Sequence, residues 1–440
     1  MKGPMAQDCR TCSLNRHFHK QSESKRWEDH GEDLAATSRD VPVRSSAVLQ
    51  QRLGVRTRSR RFHACIRHRM TSASSVYGDG PASSPILYDP QDQIRLRVES
   101  GGLFEDLPRD EHHKALIADP RNDESIMIAG LHAAFLLFHN HTVDLVRAQH
   151  PSISDEEALR EACRLTTWHY HWIILHEVLP LFVGQVMVDD ILGNGRQFYT
   201  PFDDQAFIPA EFQIGYGFGH SLVRPSYRAN LAGDHGQPFF GMIFDPSQEG
   251  AADPKDLRGG TRAPRRFIGW QTFFDFGDGQ VKPNKKIDTK ISTPLFNLPL
   301  RAIADGSPPT ALPQRNLLRH LTWQLPSGQA IALRLGAPVL SRADLAELEP
   351  LHPVFTISTP LWYYILKEAE LMQAGVHLGP VGGRIISEVF IGLLQTDPSS
   401  YVNLQPAWVP TLPTTTGTPE DFRMIDFLTF AGVDPARRGQ

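Results

Sequence analysis

Cysteine is scarce in this sequence, whose 440 residues contain only four. Cys9, Cys12 and Cys65 lie near the start of the chain, and Cys163 stands alone far downstream. A secreted protein held together by disulfide bonds would need more cysteines in its core. The fold must therefore be stable without cross-links, and a reducing compartment fits this composition. We expect a cytoplasmic rather than a secreted protein.

Long apolar runs and a strong charge imbalance are also lacking. The first 30 residues show no apolar run of the length that a signal peptide needs, and no segment offers 18 uninterrupted apolar residues, so we expect no membrane span. The formal net charge is -4 and the pI is about 6.5. This balance gives no general reason to expect nucleic acid as a partner.

Residues 1–70 differ in composition from the rest of the chain. They are polar and rich in histidine, and the run from Arg52 to Arg69 has no acidic residue. No apolar period of 3.6 or 2 persists there, which predicts a disordered or atypical extension. Two other interpretations remain open: a basic arm for nucleic acid, and a metal-binding knuckle. The candidate ligands of that knuckle are Cys9, Cys12, His17 and His19.

Helical periodicity dominates after this extension. Apolar residues recur at helical spacing between Met127 and Leu145, and again across Glu156–Gly184. Two further helices are predicted over Trp362–Ala374 and Val381–Leu394. With 34 glycines and 34 prolines, the chain must also contain long irregular connections. The pattern predicts a mainly α protein with long irregular loops.

The stretch EFQIGYGFGHSLVRPSY, from Glu211 to Tyr227, places one histidine behind an aromatic and glycine-rich approach. Because Gly217 and Gly219 have no side chain, a flat group could lie close to the backbone beside His220. A packed core histidine is the alternative. Four other motifs support a site: DPRNDE at 119–124, LHAAFLLFHN at 131–140, QRNLLR at 314–319, and TPLWYYILKEAE through LGPVGGRIISEVFIGLL at 359–394.

These five motifs, in this chain order, resemble the animal-type haem peroxidases, in particular their bacterial members. The resemblance runs from about Ser75 to the C-terminus. It implies a domain over 71–437 with helices around a buried haem b. It also implies hydrogen peroxide and a small reducing substrate as partners, and a role in the response to oxidative stress.

The resemblance also implies roles for individual residues. His220 matches the axial ligand of the haem iron, and Asn316 the residue that orients its second ring nitrogen. Arg319 matches an arginine that pairs with a haem propionate. Arg121 matches the arginine whose permanent charge polarises bound peroxide. Glu124 matches a glutamate that in some relatives is esterified to a haem methyl, and sequence leaves open whether this bond forms here.

Three features depart from the family pattern. The distal base has no clear counterpart, and the adjacent pair Asp29 and His30 supplies the candidate, with His30 as the base. The family's calcium loop has a carboxylate where this chain has Ser72, so calcium is not expected. Gly217 stands where related peroxidases have an arginine and related fatty-acid dioxygenases a tyrosine.

We therefore expect a haem-dependent peroxidase that reduces hydrogen peroxide at the expense of a small reductant. One alternative is a catalytically impaired peroxidase-fold protein that binds haem or serves a structural role. A second is a fatty-acid oxygenase, for which Tyr216 is one residue away from the expected radical position. His132 and His139 share a helix face, and we predict packing and hydrogen bonding for them rather than metal ligation.

Overall fold

The structure is a computed structural model that describes residues 74–438, apart from 101–104, 202–205, 232, 234–235, 261–262, 264 and 304–305. The predicted extension over residues 1–70 lies outside the described residues. So do the proposed base His30, its neighbour Asp29 and the calcium-loop position Ser72.

Helices and long loops make up most of the described chain, which confirms the mainly α prediction. The helices are α1 (Ser74–Tyr77), α2 (Ile126–Gln149), α3 (Asp155–Ile173), α4 (Leu179–Val183), α5 (Gln185–Asn194), α6 (Ala210–Gly215), α7 (Gly219–Leu222), α8 (Leu312–Thr322), α9 (Gly328–Leu335), α10 (Leu361–Gln373), α11 (Pro380–Thr396), α12 (Tyr401–Leu404), α13 (Met424–Phe430) and α14 (Pro435–Arg438).

The strands are short and form two antiparallel pairs. Strand β1 (Glu99–Ser100) pairs with β2 (Glu105–Asp106). Strand β3 (Ser226–Arg228) pairs with β4 (Phe240–Met242), and Tyr227 lies opposite Gly241. Because β3 begins six residues after His220, this second pair fixes the chain as it leaves the histidine.

Helix α2 forms the centre of the packing. The Ser125 side chain caps its start by accepting the Met127 N–H, as serine often does at this position. Among the described residues α2 alone is long and apolar enough to cross a membrane, with a mean hydropathy of 1.3. The protein itself buries 61% of that window. Such burial is typical of a core helix.

The single helix predicted over 156–184 is divided into three parts. Helix α3 begins with a capping box between Ser154 and Glu157. A π-helical turn over Ile174–Val178 then separates α3 from α4. The segment ends at Gly184, whose φ of 81° few other residues adopt without strain. Packing decides where a helix takes up the extra residue of a π-helical turn, and the apolar period of the sequence does not reveal this position.

A buried carboxylate joins α10 to α11. Glu368 accepts the N–H groups of Val381 and Gly382, at distances from 3.0 to 3.2 Å. A Cβ on Gly379 would lie 2.3 Å from Glu368 Cγ, so only glycine fits there. Both helices pack against α6, which leads into the His220 segment. This corner therefore supports the backbone on which His220 stands.

Burial raises the pKa of Glu368 from 4.5 to about 7. The folded state then binds the proton of the Glu368 carboxyl group more tightly than the unfolded chain does. Protonated Glu368 therefore stabilises the fold below pH 4.5, and this stabilisation is lost as the pH rises through 7. We expect the free energy of unfolding of the wild type, relative to Glu368→Gln, to fall by about 3 kcal/mol across this window. Urea unfolding from pH 5 to 8 measures it, with exposed Glu111→Gln as control. A pH-independent difference would contradict this expectation.

Backbone hydrogen bonds connect the segment of Arg121 to the segment of His220. The N–H of Gly259 donates to Glu124 O at 3.0 Å, and that of Ile126 donates to Leu257 O at 3.0 Å. Leu257 in turn donates its N–H to Met242 O of β4 at 2.9 Å. Through the β3–β4 pair, these bonds fix the two predicted site segments in one body.

Candidate functional site

His220 lies in the short helix α7 and is half-buried. The side-chain amide of Asn316, on α8, lies 2.8 Å from His220 Nδ1, with Nδ2 placed nearest. Rotating this amide by 180° exchanges a donor for an acceptor, so Asn316 can hold either tautomer of the ring. No described residue forms a hydrogen bond with Nε2. The ring is thus oriented through one nitrogen and free at the other.

The imidazole of His220 is neutral at neutral pH. Burial, and after it the positive charge of Arg319, lowers the pKa of His220 to about 4. A neutral ring keeps the lone pair that a metal ligand must supply. The Nε2 atom of His220 therefore has the chemical state and the freedom that an axial ligand requires.

Arg319 lies one helical turn after Asn316 on α8 and is exposed. Burial of part of the side chain, and the nearby charge of Arg315, lower the pKa of Arg319 below its ordinary value. No described carboxylate forms an ion pair with it. An accessible cation without a counter-charge thus lies beside His220.

Two tyrosines are accessible although protein atoms surround them. Tyr216 exposes 48% of its surface and Tyr170, on α3, exposes 36%. Burial nevertheless raises the pKa of Tyr170 to about 12, with a further contribution from Tyr216, and also raises the pKa of Tyr216. Both rings are therefore partly surrounded by protein and partly accessible. The ring of Phe135 meets that of Tyr170 edge-on at 5.0 Å.

Gly217 is the glycine that replaces the arginine or tyrosine of related proteins. Its carbonyl accepts the Trp362 Nε1–H at 2.9 Å. A Cβ at this position would lie 3.3 Å from two ring atoms of Trp362 and 3.7 Å from His220 Nδ1. An arginine side chain does not fit unless Trp362 moves. At these distances the Trp362 ring would have to shift by a few tenths of an ångström to admit a side chain at position 217.

These residues fit a haem. A porphyrin supplies four of the iron's ligands, so the protein needs one axial donor, and His220 offers a free, neutral and oriented nitrogen. Tyr216 adds an accessible aromatic ring four residues before His220, and Arg319 provides a cation for a propionate. The described part of the chain contains no group of three or more His, Cys, Asp or Glu able to hold a metal ion, but a haem does not require such a group.

Arg121 lies in a 3-10 turn over Pro120–Asp123, just before α2. Its side chain is 65% exposed, whereas that of its partner Asp119 is 4% exposed. Arg121 Nη2 donates to Asp119 Oδ2 at 2.6 Å, and Nε donates to Oδ1 at 3.0 Å. The buried carboxylate therefore fixes the direction of the guanidinium. Glu124 lies two residues before α2 begins and is exposed. The protein still covers part of its carboxyl group, and this partial burial is the main reason why the pKa of Glu124 is raised.

His132 and His139 make the hydrogen bonds predicted for them. His139 Nε2 donates to Ile94 O at 2.9 Å, and Nδ1 accepts from the Tyr77 hydroxyl at 3.1 Å. His132 Nδ1 lies 2.8 Å from the side-chain amide of Asn122. Burial lowers the pKa of each histidine to about 4. Both rings hold α2 to its neighbours.

The sequence did not reveal Tyr170 or Trp362 as part of this site. Tyr170 belongs to none of the five motifs, and the motif at 359–394 that contains Trp362 assigns no role to this side chain. Trp362 reaches Gly217 across 145 positions of sequence, and Tyr170 looked like one more aromatic residue of a helix. Their roles follow only from the packing of α3 and α10 around the His220 segment.

Comparison with known proteins identifies related sequences. A family description named animal haem peroxidase matches residues 69–249. Eosinophil peroxidases of Mus musculus and Homo sapiens are each 26% identical over 161 residues, which is 34% of this chain. The matched part spans 22% of the length of these relatives.

Solved structures show a similar fold. A fatty acid alpha-dioxygenase variant of Oryza sativa with palmitic acid has a TM-score of 0.50 at 14% identity, over 82% of this chain and 61% of that one. Peroxidase A of Dictyostelium discoideum has a TM-score of 0.49 at 16% identity, over 75% of this chain and 63% of that one. Residues 69–249, less than half of the chain, are thus similar to the animal haem peroxidases, and the helical fold is similar to that of the alpha-dioxygenase.

Proposed function

We propose that this protein is a haem-dependent peroxidase that reduces hydrogen peroxide at the expense of a small reductant. The observation that carries the proposal is His220 itself. It is a neutral imidazole with Nδ1 held by Asn316 at 2.8 Å and no described hydrogen-bond partner at Nε2. A half-buried imidazole that is oriented through one nitrogen keeps the lone pair of the other for a ligand.

His220 would bind the iron of haem b through Nε2. Asn316 would fix the plane of the imidazole, because the partner of the outer nitrogen sets the orientation of a ligating histidine. Arg319 would neutralise a haem propionate. The bound haem supplies the redox chemistry that no side chain of the protein can provide. The protein's part is to hold this group and to exclude competing ligands.

Arg121 would bind hydrogen peroxide. Its guanidinium can donate hydrogen bonds to the oxygen that leaves, and a fixed cation stabilises the charge that develops there. Asp119 keeps the guanidinium directed. His30 remains our candidate for the base that takes the proton from one peroxide oxygen and returns it to the other. Glu124 would be the residue that forms any ester to the haem.

Substitution of Arg121 tests this function. After reconstitution with haemin, we expect the wild type to oxidise a phenolic dye with hydrogen peroxide, and Arg121→Gln to lose about a hundredfold in kcat/KM, since loss of one such donor costs 10²–10³ in rate. Haem absorbance should be unchanged in the variant. Arg160→Gln, which changes an exposed residue of α3, is the control for the loss of one positive charge. Equal turnover by Arg121→Gln would refute the role of Arg121.

Two other functions have distinct outcomes in the same experiment. A catalytically impaired haem-binding protein would show the haem absorbance without dye turnover in the wild type. A fatty-acid oxygenase is favoured by one observation, the accessible phenol of Tyr216 one turn before His220. It would convert linoleate to an oxygenated product, which mass spectrometry detects, and Tyr216→Phe would abolish that product.

A further inference from the structure

Arg224 follows α7 and lies four residues after His220. Its guanidinium stacks over the ring of Tyr227, with 4.3 Å between its central carbon and the ring centroid. The Nε atom is buried and has no hydrogen-bond partner. Among the described residues no carboxylate or other acceptor contacts the remaining guanidinium nitrogens either.

This arrangement is costly for a half-buried arginine. Taking a cationic donor out of water without giving it an acceptor loses hydration and gains nothing in return. The contact with Tyr227 compensates for part of this loss, because the face of the ring attracts a cation. It provides no hydrogen-bond acceptor for the buried Nε–H. A bound acceptor would satisfy a donor of this kind.

The side chain is also held in position. The Tyr227 hydroxyl accepts the backbone N–H of Arg224 at 3.0 Å. Tyr227 is 7% exposed, and its ring stacks on Phe273 at 5.8 Å with 11° between the planes. The resulting layers of Arg224, Tyr227 and Phe273 fix the plane of the guanidinium, and no described residue provides an acceptor at its edge. A planar edge with several N–H donors matches the two oxygens of a carboxylate.

The surrounding chain adds positive charge. The loop over residues 282–290 contains four lysines and one aspartate. The N–H of Lys285 donates to Leu222 O at 3.2 Å, and that of Lys282 donates to Thr272 O at 3.3 Å, so the loop runs beside the layers. Asp288 of this loop accepts the backbone N–H of Lys290 and thus stabilises the turn in which it lies. A local excess of cations favours an anionic ligand.

We propose that Arg224 binds a carboxylate at the edge of the site, and that this carboxylate is a propionate of the group held by His220. Arg224 would then supply a positive charge, which the glycine at position 217 cannot supply. The identity of the propionate rests on the proposed function, whereas the preference for a carboxylate rests only on the geometry of Arg224.

The experiment compares two porphyrins. Apo protein is titrated with haemin and with haemin dimethyl ester, whose propionates are blocked, and binding is followed by absorbance. We expect Arg224→Gln to bind haemin at least about tenfold more weakly than the wild type, as for a lost charge-assisted hydrogen bond. We expect the two proteins to bind the ester equally. Arg224→Lys should recover part of the affinity, and Arg160→Gln should behave as the wild type. Circular dichroism and thermal unfolding verify that each variant is folded.

A second arm uses decanoate, followed by tryptophan fluorescence. Decanoate binding that Arg224→Gln abolishes, together with unchanged haemin affinity, would overturn the propionate assignment and retain a carboxylate site for another ligand. Binding of haemin and decanoate that is unaffected by Arg224→Gln would overturn the whole inference. A wild type that takes up no haemin but binds decanoate through Arg224 would refute the proposed function and leave the carboxylate site in place.

Discussion

Replacing His220 by alanine should abolish haem binding. Apo wild type mixed with haemin is expected to develop a Soret band, whereas His220→Ala should bind haemin at least about a hundredfold more weakly, because loss of an outer partner alone typically costs 10–100-fold. The variant removes the Nε2 atom that the structure leaves free and the ring that Asn316 holds at 2.8 Å. Titration by absorbance gives both affinities.

His112→Ala is the matched control, since the His112 side chain is 83% exposed and belongs to no motif of the site. It should bind haemin as the wild type does. Two results would remove the basis of the proposed function: a wild type that forms no Soret band with excess haemin, or a His220→Ala variant with unchanged affinity. The first would exclude haem binding, and the second would exclude His220 as its ligand.

The second large effect is expected at Gly259. A Cβ there would lie 1.4 Å from the carbonyl oxygen of Asp123, an impossible distance between a carbon and a backbone atom. Gly259→Ala must therefore displace the loop that carries Arg121 and Glu124. We expect the free energy of unfolding to fall by about 3 kcal/mol or more, at the upper end for overpacked sites, as measured by urea unfolding. Dye oxidation should fall as well, because Arg121 moves with the loop.

Gly193→Ala provides the comparison for this prediction. Gly193 lies near the end of α5, and a Cβ there would meet nothing within 4 Å. Alanine in a helix is favoured over glycine, so this variant should be neutral or more stable by up to about 1 kcal/mol. If Gly259→Ala behaved like Gly193→Ala, the close approach of the Gly259 loop to Asp123 would be wrong.

Local pattern and tertiary packing contributed differently to the helices. The apolar periods predicted helices over 362–374 and 381–394, and the structure has α10 at Leu361–Gln373 and α11 at Pro380–Thr396. The π-helical turn within the predicted helix over 156–184 escaped prediction. An extra residue in one turn changes the direction of a helix without changing its composition, and only the contacts of α3 with its neighbours can favour it.

The sequence by itself indicated the resemblance to the animal haem peroxidases, the mainly α class and the pairing of His220 with Asn316 as a prediction, because these depend on motifs that chemistry confines to few residue types. The tertiary structure alone decided that Trp362 packs against Gly217, that Asp119 is buried beside the exposed Arg121, and that Tyr170 lies near Tyr216. Each of these depends on residues far apart along the chain or on the direction of a side chain. The local spacing of residues does not determine such long-range contacts or side-chain directions, since both arise only when the helices pack against one another.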